Sequence, residues 1–332
     1  MVAPRQVEVD ANGLRFETLL AGPDDGEAVV LLHGYPQSAE SWRETMDWLA
    51  ICGYRSIAPN LRGYSPGANP PEASAYAMDR LVADVLGIAD SVGAARFHVV
   101  AHDWGAAVAW SLAGTHPQRL LSLTAISTPH SAALLEALRS PSQSARSVYM
   151  RFFQLPRVPE ALMQAGNFAQ MGVSLRLFGL PRSSWQRDRR QLQRVGMRGP
   201  LNWYRGAPRG LRPRPVRVPT LYIWGRRDPF LGRKAAELTA KHVTGEYRFE
   251  ELDAGHWIID RNAADLQRLL GPHLDAHRAP EQPEPTTTPA PASATTSPSA
   301  KPARSRPRKA AAPASAAPRR AKRAPKPPPS AA

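Results

Sequence analysis

The chain has one cysteine, Cys52, in 332 residues. An intramolecular disulfide framework is excluded, and the lone thiol reads as a small apolar filler in a reducing compartment. No apolar run approaches the ~20 residues that a membrane span needs. The opening residues, Met1-Val2-Ala3-Pro4-Arg5-Gln6-Val7, hold no apolar h-region. No signal peptide is therefore expected, and the cytoplasm is the expected location. Lysine is missing from residues 129–212, although that stretch carries 14 arginines. Residues 279–332 hold no aromatic side chain and consist of Pro, Ala, Ser, Thr, Lys and Arg with few exceptions. Such a segment cannot bury enough surface to offset its chain entropy, so a disordered tail is expected there.

What is present supports a sizeable core, since 42% of the residues are apolar. The net charge of +15 is spread unevenly. Residues 1–128 carry −6, residues 129–212 carry +11, residues 213–278 carry +2 and residues 279–332 carry +8. The basic character thus belongs to a middle segment and a tail. Short apolar runs at 28–32, 54–58, 97–100, 120–126, 220–224 and 247–252 read as strands. Asn12-Gly13 between two further runs signals a hairpin. Helical spacing appears at 41–50, 78–92, 234–242 and 263–274. This alternation predicts an α/β chain with a mainly parallel, doubly covered sheet. Residues 129–212 break the alternation, are punctuated by prolines, and read as a helical cap over the C-terminal ends of the strands. The expected organisation is core 1–128, cap 129–212, core 213–278 and tail 279–332.

The most informative run is Ala101-His102-Asp103-Trp104-Gly105. It follows an apolar strand and opens an apolar helix. That is the strand–sharp turn–helix context of the nucleophile elbow in the α/β-hydrolase fold. A carboxylate stands where a serine is usual. Serine attack would give an acyl-enzyme. Aspartate attack on carbon displaces a leaving group and leaves an alkyl ester that water must cleave. The chemistry narrows to opening of epoxides or removal of halide. A plain helix N-cap is the bland alternative for Asp103.

Four further motifs surround the elbow: His33-Gly34-Tyr35-Pro36, Trp224-Gly225-Arg226-Arg227-Asp228, Gly255-His256-Trp257, and the pair of cap segments holding Tyr149 and Tyr204. Together they resemble the epoxide hydrolases of the α/β-hydrolase fold, over about residues 5–275. The resemblance implies Asp103 as nucleophile and His256 as the base that activates water. It implies Asp228 as the acid that orients His256, and the backbone N–H groups of Tyr35 and Trp104 as an oxyanion hole. His33, Gly34 and Pro36 would shape that hole, with a cis bond before Pro36. Tyr149 and Tyr204 would hold the epoxide oxygen, because an alkoxide is a poor leaving group that needs an acid. Only His256 combines a strand-end position with the chain order nucleophile–acid–His. No carboxylate stands at Ile126-Ser127-Thr128, which favours Asp228 as the acid. Two departures from the family touch the surroundings: Asn60 where an aspartate is common, and Asp260 near the place of a glutamate.

Haloalkane dehalogenase is the closest alternative. It shares the nucleophile but often has Asn at the position of Tyr35, and the two lid tyrosines favour an epoxide. An alternative of another class is an idle hydrolase body whose basic tail binds polyanions or an anionic membrane weakly and in a salt-dependent way. Cap arginines are expected on solvated outer faces, with steering of an anionic substrate as the second option. No cofactor or metal is implied; the expected partner is a small epoxide, and the oligomeric state is left open.

Overall fold

In the computed structural model, which describes residues 3–280, the apolar runs become one eight-stranded sheet. Its strands are β1 (Arg5–Ala11), β2 (Leu14–Ala21), β3 (Ala28–Leu32), β4 (Arg55–Pro59), β5 (Phe97–His102), β6 (Leu120–Ile126), β7 (Thr220–Gly225) and β8 (Tyr247–Leu252). Across the sheet they run β1-β2-β4-β3-β5-β6-β7-β8. β2 is antiparallel to β1 and β4, and the remaining pairs are parallel. Asn12 and Gly13 turn the first hairpin with φ of 50° and 74°, the left-handed pair that a tight hairpin needs.

Twelve α-helices occur among the described residues. They are α1 (Arg43–Ile51), α2 (Met78–Ser91), α3 (Trp104–Thr115), α4 (Ser131–Ala137), α5 (Pro141–Arg146), α6 (Val148–Phe152), α7 (Val158–Leu177), α8 (Arg182–Val195), α9 (Arg198–Gly206), α10 (Arg233–Leu238), α11 (Ile258–Arg261) and α12 (Ala263–Ala276). The parallel strands are buried on both faces, which is why they read as unbroken apolar runs. Successive side chains enter different cores. Val30, Leu32, Val99, Tyr222 and Trp224 face the core that includes Val85, Val108 and the cap. Val29, Leu31, Val100, Leu221 and Ile223 face the core that includes Leu49 and Leu269. Full burial of such a side chain is worth roughly 1.5–3 kcal/mol.

α4 to α9 lie between β6 and β7, inside the segment expected as a cap. α7 is broken: Ala165, Gly166, Asn167 and Phe168 leave helical geometry, with φ of 55°, 55° and 67° at the last three. Gly-Asn tolerates that conformation, and the apolar spacing alone did not reveal the break. Two expected helices are also modified. The one expected at 41–50 begins as a 3-10 turn, Ala39–Trp42, and the preceding Ser38 bonds to Asp188 rather than capping it. The one expected at 234–242 tightens to a 3-10 turn at Thr239, whose hydroxyl bonds back to the Ala235 carbonyl.

β3 connects to β4 on one side, while its other neighbour β5 comes later in the chain. The C-terminal ends of β3 and β5 therefore flank the point where strand order reverses, the usual crevice for a ligand in an open α/β sheet. Among the described residues no helix is long and apolar enough to cross a membrane. The tail expected from residue 279 lies, after its first two residues, outside the described residues.

Candidate active site

β5 ends at His102 and α3 starts at Trp104, so Asp103 alone makes the turn. Its backbone sits at φ 51°, ψ −121°, a conformation that costs a non-glycine residue ~1–3 kcal/mol. The surrounding small residues have a steric cause. A Cβ on Gly34 would fall 2.2 Å from the Asp103 Cβ, and one on Gly105 would fall 2.4 Å from the Leu32 carbonyl oxygen. Asp103 precedes α3, but its side chain makes no capping bond. The carboxylate turns instead to the crevice, where Oδ1 accepts the Tyr35 N–H at 2.8 Å. The Tyr35–Pro36 bond is cis. Among the described residues the Trp104 N–H makes no bond to this carboxylate.

His256 follows β8 and lies with Nε2 3.6 Å from Asp103 Oδ2. On the other side its Nδ1–H donates to Asp228 Oδ2 at 2.8 Å. Asp228 follows β7, and its second oxygen accepts the N–H groups of Phe230 and Leu231 at 2.8 and 3.0 Å. The turn and the histidine contact thus use different oxygens of one carboxylate. Arg146 of α5 donates to the Asp228 carbonyl at 2.9 Å and ties cap to core. Asp228 and His256 are buried, whereas the Asp103 side chain keeps 16% of its surface open.

Burial alone would lower the His256 pKa. The Asp228 and Asp103 carboxylates outweigh it and raise the imidazole to about 10. Burial alone would raise Asp103, but the bond and charge of His256 hold it below the ordinary carboxylate value. The resting pair is therefore a carboxylate facing an imidazolium. Burial also drives the phenols of Tyr149 and Tyr204 above their ordinary value, assisted by the Asp103 charge, so both stay protonated at neutral pH.

Asp103, His256, Tyr35, Tyr149 and Tyr204 border one cavity of about 400 Å³. The two lid tyrosines meet edge to face at 5.9 Å, and Tyr204 also packs on Trp104 and Tyr35. The remaining wall is mostly apolar, with Phe153, Met163, Met171, Leu175, Phe230 and Trp257 among its residues. Gln170 and Ser174 are its only other polar side chains, and none of the 14 cap arginines borders it.

His33 does not touch the reacting groups. Its Nδ1–H donates to the Gly34 carbonyl and its Nε2 accepts the Leu61 N–H, while burial lowers it to about 4. It staples the loop that carries Tyr35. Asn60 accepts the Ala39 N–H and donates to Glu17, and Arg62 forms a buried pair with Asp84. These contacts explain how the Asn60 departure is accommodated. A buried chain of polar groups extends behind His256. The His256 carbonyl accepts from His102 and Ser127, His102 meets Gln37, Gln37 donates to Asp260, and Asp260 accepts from Arg187 of α8. Of this chain the sequence flagged only Asp260 and the elbow histidine. Gln37 follows Pro36 directly, and that position was the one signal available for it.

The α/β-hydrolase fold family matches residues 27–263. The AB hydrolase superfamily protein YfhM of Bacillus subtilis is 33% identical over 275 residues, covering 80% of this chain and 96% of that protein. Epoxide hydrolase A of Mycobacterium tuberculosis is 33% identical over 315 residues, covering 81% of this chain and 97% of its own length. The chain belongs to the epoxide hydrolase family of the α/β-hydrolase fold. The crystal structure of epoxide hydrolase A from Mycobacterium thermoresistibile superposes with a TM-score of 0.73 at 28% identity. It covers 83% of this chain and 99% of its own. The fold-family match, residues 27–263, runs from just before β3 to the start of α12 and includes the helices between β6 and β7.

Proposed function

We propose that this chain hydrolyses a neutral, apolar epoxide to a vicinal diol through an ester on Asp103. The observation that carries the reading is one cavity in which a carboxylate, an imidazole and two protonated phenols face an otherwise uncharged wall. Asp103 attacks an epoxide carbon and the ring C–O bond breaks. The departing oxygen takes a proton from Tyr149 or Tyr204. The raised pKa values keep both phenols protonated at neutral pH, and the strongly basic alkoxide takes the proton.

Esterification removes the Asp103 charge. One of the two carboxylates that raise His256 is then gone, so the imidazolium surrenders its proton, which restores the tyrosine through water. Neutral His256, still oriented by Asp228, takes a proton from a water molecule as it attacks the ester carbonyl. The oxyanion that forms is met by the Tyr35 N–H, which already bonds Asp103 Oδ1, and by the Trp104 N–H as the second donor, each such donor being worth ~3–4 kcal/mol. Collapse returns the proton to the product oxygen, and the free acid re-ionises toward His256. The oxygen added to the substrate comes from Asp103, and water replaces it there. The absence of arginine from the cavity wall supports a neutral substrate over an anionic one.

The test is a product assay on matched panels of epoxides and haloalkanes, scoring diol and halide together. Diol without halide is expected. Halide without diol would reassign Tyr149 and Tyr204 to packing and overturn the reading.

A further inference from the structure

Nine large apolar side chains are exposed among the described residues, and seven of them fall between Val148 and Phe178. Scattered single exposures are ordinary, but a cluster on one segment points to an interaction surface. The cluster flanks the cavity mouth. On the first half of α7, Leu162 borders the cavity and Val158 lies one turn before it. On the second half, Gln170, Ser174 and, just past its end, Phe178 border the cavity. Val173 and Leu177 fall on the same helical arc, roughly 100° wide, as Gln170 and Ser174. Leu177 is 82% exposed.

On this segment the charges outside ion pairs have one sign. Between Val148 and Phe178 the arginines are Arg151, Arg157 and Arg176, all exposed and none in an ion pair among the described residues. The only acid in that interval, Glu160, is engaged by Arg205. We propose that this rim docks on an anionic lipid surface, with Val158, Leu162, Val173, Leu177 and Phe178 entering the headgroup boundary and the three arginines meeting lipid phosphates. Apolar side chains interleaved with unpaired cations fit such a surface. A second copy of the chain fits poorly, because its rim would bring the same arginines face to face. The docked cavity mouth opens on the phase in which an apolar epoxide dissolves. That delivery rests on the epoxide reading; the docking itself does not.

The full chain is sedimented with phosphatidylcholine vesicles, with and without phosphatidylglycerol. Three full-length variants are compared: Val173→Ser with Leu177→Ser, Arg157→Gln with Arg176→Gln, and the ten Lys and Arg of residues 279–332 changed to Gln. Binding that requires phosphatidylglycerol is expected. The serine pair should weaken it by about tenfold or more. Each lost arginine should weaken it by roughly fivefold and flatten its salt dependence. Val173, Leu177, Arg157 and Arg176 are exposed and do not border the cavity, so turnover of a water-soluble epoxide by the two cap variants should stay at the wild-type level. No binding by the wild type, or cap variants that bind like the wild type while the tail variant loses binding, would overturn the proposal. A lipid-free dimer that the serine pair dissolves would also overturn it, in favour of a second copy. Vesicle binding lost in the cap variants of a chain that opens no epoxide would retain the docking and reject the activity.

Discussion

The floor and the roof of the cavity are built by different physics. The floor is strand ends: Asp103, His256 and Asp228 stand on three loops, and they are held to one another by hydrogen bonds and charge. The roof is helices, and apart from two phenols, Gln170 and Ser174 it presents aromatic, Met and Leu side chains. A directed bond tolerates little displacement, whereas apolar packing accepts substitution of similar volume at small cost. The contrast separates what the enzyme does from what it accepts. On the proposed mechanism the floor would determine the reaction and the roof would select the epoxide.

Breaking the floor should therefore give the largest losses. Asp103→Ala should leave no diol above background, a loss of at least ~10⁴ in kcat. In the wild type, one turnover in ¹⁸O-water should place label in Asp103 and not in the diol. Label in the diol would show direct attack by water. His256→Gln should lower turnover by ~10³ or more while the alkyl-enzyme accumulates, visible as an adduct by intact mass. An inactive variant without adduct would mean that His256 acts before the ester forms.

The phenols lie between floor and roof. Tyr204→Phe should slow epoxide opening by about 10²-fold, and loss of both phenols should exceed either single loss. A double variant no worse than one single variant would leave one tyrosine as a packing residue. Roof substitutions should be smallest: Met171→Ala or Leu175→Ala should change preference between small and large epoxides by about 10- to 100-fold with little change in the best kcat.

The pH dependence sharpens the same comparison. His256 is near 10 in the fold and near 6.5 when unfolded, so its contribution to stability is complete below about 6.5. That contribution is lost as pH rises from there towards 10. The difference in Tm between wild type and His256→Gln should therefore shrink with rising pH across this window. Hydrolysis of the wild-type alkyl-enzyme, followed in a single turnover, should show an apparent pKa below that of the free enzyme, since the Asp103 charge is absent. Equal values would mean that Asp228 alone sets His256.

The floor was also the legible part of the sequence. Small residues around Asp103, the strand-end place of His256 and the acid after β7 are local signals, each tied to a backbone requirement that few residues meet. The roof was not. The broken alternation and the prolines pointed to helices over 129–212 but not to the break at Ala165–Phe168 or to which faces of α7 border the cavity. Those depend on how short helices settle against one another, which composition does not encode. Gln37, Arg187 and Ser127 were missed for a related reason. They are polar residues far apart in the chain that meet only behind β5 and β8.

The break in α7 bears on how the pocket can be redesigned. One residue inserted into a continuous helix turns everything after it by ~100° and exchanges the whole lining. At Ala165–Phe168 the register is already interrupted, so an added or deleted residue can be absorbed there. Met163 before the break and Met171 after it can then be varied as separate panels of the same ceiling. Length changes at that seam are a route to new substrate sizes that leaves the charged floor untouched.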